Sequence, residues 1–497
     1  MSDDPTPLVL ALDVGTSSVR AYLYDRTGRR RCGAQAHYAW TTTPDGGAEI
    51  DPDEIVRHAV AVVDAALRDA GTLAGAIAAV GVAALWHSVV GVDADGKPVT
   101  PAYSWSDSRP AAAAAALRRR LDEPAVHART GAVLHASYLP AKLLWLSQAR
   151  PHDFVRARYW MSIGEYLALR LFGERRVSLS MASGTGLLDQ HALAWDAGVL
   201  AALPIAPEQL SPLVDVDAPL AGLRPEFAGR WPTLRAVPWL PALGDGACAN
   251  VGTGCTTAER VALSLGTSGA LRVLFPAEQV RIPPGLWCYR LDRRRAVMGG
   301  AVSNGGNVYA WLRGTLRLPE PAALEAALDA MPPDGHGLTV LPFLAGERSP
   351  DWPAAARAAI TGLTLDTTPP QIVRAALEGV AYRLALVRRL LRGAFPSGGL
   401  VIASGSALRH SPAWARIIAD VFGEPLVLAA VDEASSRGTA LLALEAIGAL
   451  RDITDAPDAL NGTVEPDPTR HARYVDAIAR YEALDELLVE RARLGRG

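Results

Sequence analysis

Two short stretches, about half a chain apart, constrain what this polypeptide can fold into. Leu8-Val-Leu-Ala-Leu-Asp-Val-Gly-Thr-Ser-Ser18 and Val261-Ala-Leu-Ser-Leu-Gly-Thr-Ser-Gly269 read alike. Each is a largely apolar run, continuous over Leu8–Leu12, then a Gly-Thr-Ser turn, then a returning strand, Val19–Tyr24 in one case and ending at Leu274 in the other. Apolar runs of this length predict central strands buried on both faces. The repeated strand–turn–strand unit predicts two related halves. Backbone N–H groups and hydroxyls in such turns can cradle phosphate oxygens, so the repeat points to a nucleotide held between the halves. The pattern is not a P-loop, which needs Gly-Lys-Ser/Thr ahead of a helix. Asp13, at the end of the first run, is placed to hold a hydrated metal ion near those phosphates.

Between the repeats, almost at the midpoint of 497 residues, lies Pro241-Ala-Leu-Gly-Asp-Gly-Ala-Cys-Ala-Asn250. Gly244 and Gly246 flank Asp245, and are expected to let the chain turn sharply and leave the carboxylate unshielded. The small residues from Ala247 to Gly254 predict a closely packed helix. A carboxylate so presented can take a proton from a hydroxyl group, although an isolated Asp-Gly turn would look the same. A chain this long exceeds a single core. The proline-rich, weakly periodic region 205–237 puts the boundary just beyond it, giving domains 1–244 and 245–497 with Asp245 at the hinge.

A formal net charge of −3 and the lack of a long basic run argue against nucleic acid or an anionic membrane surface as partner. Four cysteines without metal-ligand spacing fit a reducing, cytoplasmic compartment. The opening Met1-Ser-Asp-Asp-Pro lacks the basic-then-apolar pattern of a signal peptide. Residues 74–92 are apolar and long enough to cross a bilayer. Gly75, Gly81 and Gly91 interrupt them, however, and the turn Asp93–Pro98 follows at once. They read as a buried strand, about Ile77–Leu85, entering a loop with His87.

Elsewhere, Asp51 and Pro52 open a helix that buries Ile55, Val56, Ala59, Val62, Val63 and Leu67 and stops at Gly71. Leu85-Trp-His-Ser88 and Tyr103-Ser-Trp-Ser-Asp-Ser-Arg109 gather polar groups at strand ends, as a polar-substrate site or a solvated loop would. Gly299–Gly306 is a loop where backbone can approach a ligand closely, and Leu341–Arg348 is a strand running into a charged loop. A helix is expected over Gln371–Leu384. Leu400-Val-Ile-Ala-Ser-Gly-Ser-Ala407 reads as a buried strand, with a helix from about Pro412 whose N-terminus suits an anion.

Two stretches carry a resemblance. Ala358-Ala-Ile-Thr-Gly-Leu363, continuing to Gln371-Ile-Val-Arg-Ala-Ala-Leu-Glu378, resembles the C-terminal signature of the FGGY family of carbohydrate kinases. Lys142-Leu-Leu-Trp-Leu146 resembles the core of the N-terminal signature, with Ser147 a departure where a larger polar residue is usual. The resemblance covers essentially the full length. It implies an α/β fold of the duplicated actin-like (ribonuclease-H-like) kind, two domains with a central cleft. It also implies ATP- and Mg2+-dependent phosphorylation of a sugar or polyol hydroxyl.

Position by position, the resemblance makes Asp245 the general base. Gly15, Thr16, Ser17 and Ser18 become the first phosphate hairpin, and Gly266, Thr267 and Ser268 the second. Gly306, Gly405, Ser406 and Ser411 fall at nucleotide contacts, Trp86 and His87 at the sugar, and Asp107 and Tyr138 on the substrate side. Asp13 matches the acid of the magnesium site. The motifs around Trp86 and Asp245 are closest to the gluconokinase branch. D-gluconate is therefore expected slightly ahead of xylulose, with His87, Arg109 or Lys142 to meet its carboxylate. A homodimer is compatible with this reading. An inactive sugar-binding regulator of the same fold is disfavoured by Asp245 and the intact hairpins. A protein-directed actin-fold ATPase is disfavoured by the polar loops and the signatures.

Overall fold

The computed structural model describes residues 7–278, 280–353 and 356–493, so the acidic opening lies outside it. The first apolar run is β1 (Leu8–Val14), and it returns as β2 (Ser18–Tyr24) and β3 (Arg30–His37). After α1 (Pro52–Ala70) come β4 (Ile77–Ala84) and, much later in the chain, α2 (Leu139–Ala149) and β5 (Leu243–Gly244). These strands form one sheet in the order β5-β4-β1-β2-β3. β1 runs antiparallel to β2 and parallel to β4, and β5 is parallel to β4.

Past α3 (Asp245–Gly252), the second half builds β6 (Arg260–Leu265), β7 (Gly269–Pro276), β8 (Trp287–Arg290) and β9 (Arg295–Val302). Then follow α4 (Gly306–Thr315), α5 (Pro369–Ala394), β10 (Leu400–Ser404), α6 (Pro412–Phe422) and β11 (Leu426–Ala429). The chain closes with α7 (Ala434–Ala446), β12 (Leu460–Val464) and α8 (Pro468–Arg493). The second sheet has the order β8-β9-β7-β6-β10-β11-β12. Its inner succession β11-β10-β6-β7-β9 repeats β5-β4-β1-β2-β3, with the same parallel and antiparallel pairings. The sequence repeat is thus a duplication of topology, and the edge strands β8 and β12 are additions to the second half.

Local chemistry sets the ends of the elements. The Asp51 carboxylate caps α1 by accepting from the Asp53 N–H, and Gly71 stops the helix at φ +52°. Residues 77–84 are a sheet strand, as their glycine-broken pattern implies. Among the described residues no helix is long and apolar enough to cross a membrane. α5 outruns the expected Gln371–Leu384. Its apolar stripe continues through Leu386, Val387 and Leu391, and its buried Arg383 and Arg388 find Asp485 and Glu424.

α3 lies against α7 at backbone distance. A Cβ on Gly252 would stand 1.8 Å from the Ala434 carbonyl, and one on Gly438 1.8 Å from that of Cys248. α7 also packs on β1 and β4, and its Ala440–Leu444 are buried in the first core. The helix that begins with Asp245 is therefore fixed by small residues between a sheet of the first half and a helix of the second.

Candidate functional site

Both Gly-Thr-Ser turns project from the centres of their sheets. Gly15 N–H donates to the Ser18 carbonyl at 3.0 Å, and Gly266 N–H to the Ser268 carbonyl at 3.0 Å. Ser17 of the first turn and Thr267 of the second are exposed, while Ser18 is buried in β2. The first turn is braced by Trp40, whose indole donates to the Thr16 carbonyl at 2.7 Å, and by Trp105, which donates to the Thr16 hydroxyl at 3.2 Å. The second is braced by α4, where the N–H groups of Gly306 and Asn307 donate to the carbonyls of Gly266 and Thr267.

Between the turns lies a cavity of about 180 Å³. Asp245, Thr16 of the first turn and Ser268 of the second all line it. The flanking glycines serve a purpose different from the one expected of them. Gly244 sits at an ordinary φ of −68°, so turning the chain is not what requires glycine. Instead the Trp86 indole lies on the backbone, and a Cβ on Gly244 or Gly246 would come within 1.9 or 2.6 Å of its ring. Trp86 is held there by donating to the Ser180 carbonyl at 3.0 Å.

Asp245 accepts from the Gly246 N–H at 2.7 Å and keeps part of its surface open to the cavity. Dense surroundings push its carboxyl up to about 6; the negative Asp13 adds to this and Arg272 opposes it. Asp13 is buried, and burial raises its carboxyl too. One of its oxygens accepts from Ser436 at 3.1 Å and lies 3.3 Å from Arg20. The other, Oδ1, is buried and has no hydrogen-bond partner among the described residues. A buried carboxylate oxygen left without a donor, next to a phosphate-type turn, fits a divalent cation or its water shell.

Aromatic rings crowd much of the rest of the chamber. His87 stands at φ +63°, a strained setting for a non-glycine residue. Its ring Nδ1 lies against the Gly184 carbonyl, edge-on to Tyr138 with ring centres 4.9 Å apart. Burial drives its imidazole down to about 3, so it is neutral. Tyr138 meets Tyr289 of β8, hydroxyl to hydroxyl, at 2.5 Å. Trp287 stacks on Tyr289, with centroids 4.4 Å apart.

The other expected residues are placed differently. Asp107 faces a larger adjoining cavity of about 1190 Å³, not the chamber, and is held by Arg109 and the Ala48 N–H. Arg109 is itself engaged by Asp107 and Glu49. Lys142 is fully buried, and its ammonium donates to the carbonyls of His87 and Ser104. None of the three cations expected at a substrate carboxylate is therefore free to meet one. Gly405, at φ +113°, is required because a Cβ there would stand 2.2 Å from the Leu265 carbonyl, and Ser406 begins the short helix after it. Ser411 caps α6, accepting from the Trp414 N–H and donating to Glu325. Gly306, Gly405, Ser406 and Ser411 line neither cavity.

Sequence reasoning missed Arg272, Arg348, Trp287, Tyr289 and Trp352, all of which line the chamber. For Arg272 a signal existed: an arginine in the middle of the apolar run Gly269–Phe275, where a strand buried on both faces has no other use for a charge.

Residues 8–252 match the model of the N-terminal domain of the FGGY family of carbohydrate kinases, and residues 261–447 match that of its C-terminal domain. The chain is 28% identical to a gluconokinase of Bacillus subtilis over 98% of its length and 96% of that protein's. It is 32% identical to a glycerol kinase of Verminephrobacter eiseniae over 88% of its length and 90% of that protein's. Its fold superimposes on the crystal structure of a ligand-bound xylulose kinase from Lactobacillus acidophilus with a TM-score of 0.88, at 27% identity, covering 97% of this chain and 98% of that one.

Proposed function

The chain belongs to the FGGY family of carbohydrate kinases and has the duplicated actin-like fold and sugar kinase activity of that family; we propose that it phosphorylates a terminal hydroxyl of a small sugar or sugar acid, D-gluconate ahead of xylulose, with Asp245 as general base. The observation that carries this reading is that Asp245 and a residue of each phosphate-type turn, Thr16 and Ser268, line one polar chamber. ATP supplies the phosphoryl group, and Mg2+, for which Asp13 is the proposed anchor, supplies positive charge beside it.

In phosphoryl transfer, charge spreads over the moving group's oxygens, so catalysis is chiefly positioning and electrostatic stabilisation. The amides and hydroxyls of Gly15–Ser18 and Gly266–Ser268 are the proposed cradle for the phosphates. Asp245 accepts the proton of the attacking hydroxyl. A carboxyl near 6 is ionised at neutral pH and yet more basic than an ordinary aspartate, which suits that task. Trp86 and Tyr289 exclude water, which would otherwise compete as nucleophile. Gly306, Gly405 and Ser406 shape the backbone behind the second turn. Ser411 acts through its helix cap, and Asp107 with Arg109 frames the entrance.

The test is the initial rate of ADP release with gluconate, xylulose, ribulose, glycerol and other polyols at matched concentrations. Gluconate is expected to give the highest kcat/KM. A tenfold advantage for xylulose or a polyol, about 1.4 kcal/mol of discrimination, would overturn the choice of substrate and leave the kinase activity standing.

A further inference from the structure

The geometry points to Arg348 as the residue that selects an anionic acceptor, its guanidinium pairing with the carboxylate of a sugar acid whose far hydroxyl lies at Asp245. This rests on the gluconate reading above and assigns the carboxylate a partner.

Two arginines, Arg272 and Arg348, line the chamber. Among the described residues neither takes part in an ion pair, although twenty-two other arginines do. A guanidinium withdrawn from water without a counter-anion is costly, and a site that keeps one is built for an anion. Arg272 donates to the Ser264 hydroxyl at 3.0 Å and is drawn electrostatically to Asp245. It therefore belongs to the hydroxyl end of the chamber. Arg348 belongs to the other end. It lies over the Trp105 ring at 4.8 Å, donates through Nη2 to the Val302 carbonyl at 3.0 Å, and lies among Tyr138, Tyr289 and Trp352. Its Nη1 has no hydrogen bond to the described residues. Its sequence neighbour Glu347 does not neutralise it by contact, because that carboxylate accepts from the N–H groups of Ser303 and Arg348 and from Asn304.

The charge count agrees. His87 and His135, beside the chamber, are neutral, since burial brings each down to about 3. Lys142 is turned into the protein toward backbone carbonyls. With Asp245 ionised, Arg272 and Arg348 leave one positive charge in excess at the chamber wall, and a sugar monoanion matches it. The other anion within reach is the transferring phosphate itself, and the experiment separates the two.

Wild-type protein, Arg348→Met and Arg348→Lys are assayed for ADP release with gluconate and with xylulose, and titrated with gluconate by calorimetry. Loss of a carboxylate partner predicts that the gluconate-to-xylulose ratio of kcat/KM falls about 100-fold or more in Arg348→Met, with partial recovery in Arg348→Lys. It also predicts that gluconate binding is weakened to a similar degree. An unchanged ratio with a raised KM for ATP would assign Arg348 to the phosphates and overturn the proposal. Equal gluconate affinity in wild type and a folded Arg348→Met would overturn it as well. Failure of the wild type to release ADP with any acceptor would instead refute the kinase reading, while the calorimetric comparison still decides the role of Arg348.

Discussion

The hydroxyls of Tyr138 and Tyr289 meet at 2.5 Å, one carried by the first half of the chain and the other by β8 of the second. Both are buried, and burial raises both phenols far above their usual range, so the contact is a neutral hydrogen bond. It joins the two halves beside His87 and above the chamber. Because β8 is an edge strand with no counterpart in the first half, this tie was added to the duplicated plan.

Tyr289→Phe should loosen that tie without emptying the core, since the ring stack on Trp287 remains. The expected cost in stability is about 1 kcal/mol, read as a small drop in Tm. The KM for the sugar should rise several-fold more than the KM for ATP. Equal changes in both constants would mean that the hydrogen bond does not act at the sugar site.

The pH dependence follows from Asp245. Its carboxyl is raised, so it is protonated below about 6 and ionised above. As a base it is lost on acidification, and kcat/KM should fall about tenfold per unit below that value while staying level toward neutrality. For stability the sign is opposite. The folded state holds this proton more tightly than the unfolded chain, so this group's contribution favours folding in acid and is lost as pH rises through about 6. Asp245→Asn should remove the acid limb from the residual activity; a limb that persists unchanged would place the titrating group elsewhere, Asp13 being the neighbour that also titrates high.

Gly266 offers a clean test of the second turn. A Cβ there meets no protein atom within 4 Å, so Gly266→Val should fold. A valine would occupy only the space proposed for phosphate. Nucleotide affinity, measured by calorimetry, should drop about tenfold or more, a cost of the order of one well-made hydrogen bond to a charged group. Unchanged affinity would remove this turn from the nucleotide site.

Much of this was legible in the sequence, for physical reasons. Buried parallel strands are continuous apolar runs, so the repeat that starts at Leu8 and at Val261 announced both sheets and their turns. Asp245 was conspicuous because it lies between the two repeats, and its flanking glycines proved to be required by the Trp86 ring. What the sequence hid was assembly. Tyr289, Arg272 and Arg348 come from separate elements, and only strand pairing and the closure of the halves bring them to one chamber. Lys142 was misleading for a related reason. A lysine in a helix reads as solvated or as a free cation, yet it is buried to hold the carbonyl of the strained His87. Asp107 and Arg109 neutralise each other across two positions of one loop, so a motif that looked made for substrate satisfies itself.

The account rests on Asp245 as the base of an ATP-dependent sugar kinase, and the most direct measurement is steady-state ADP release by Asp245→Asn with its best acceptor. Asparagine keeps the size and the Gly246 contact but cannot take the proton. Turnover should fall by roughly 10²–10⁴-fold, with ATP affinity and Tm close to wild type. Turnover within a few-fold of wild type in a folded Asp245→Asn protein would contradict the account.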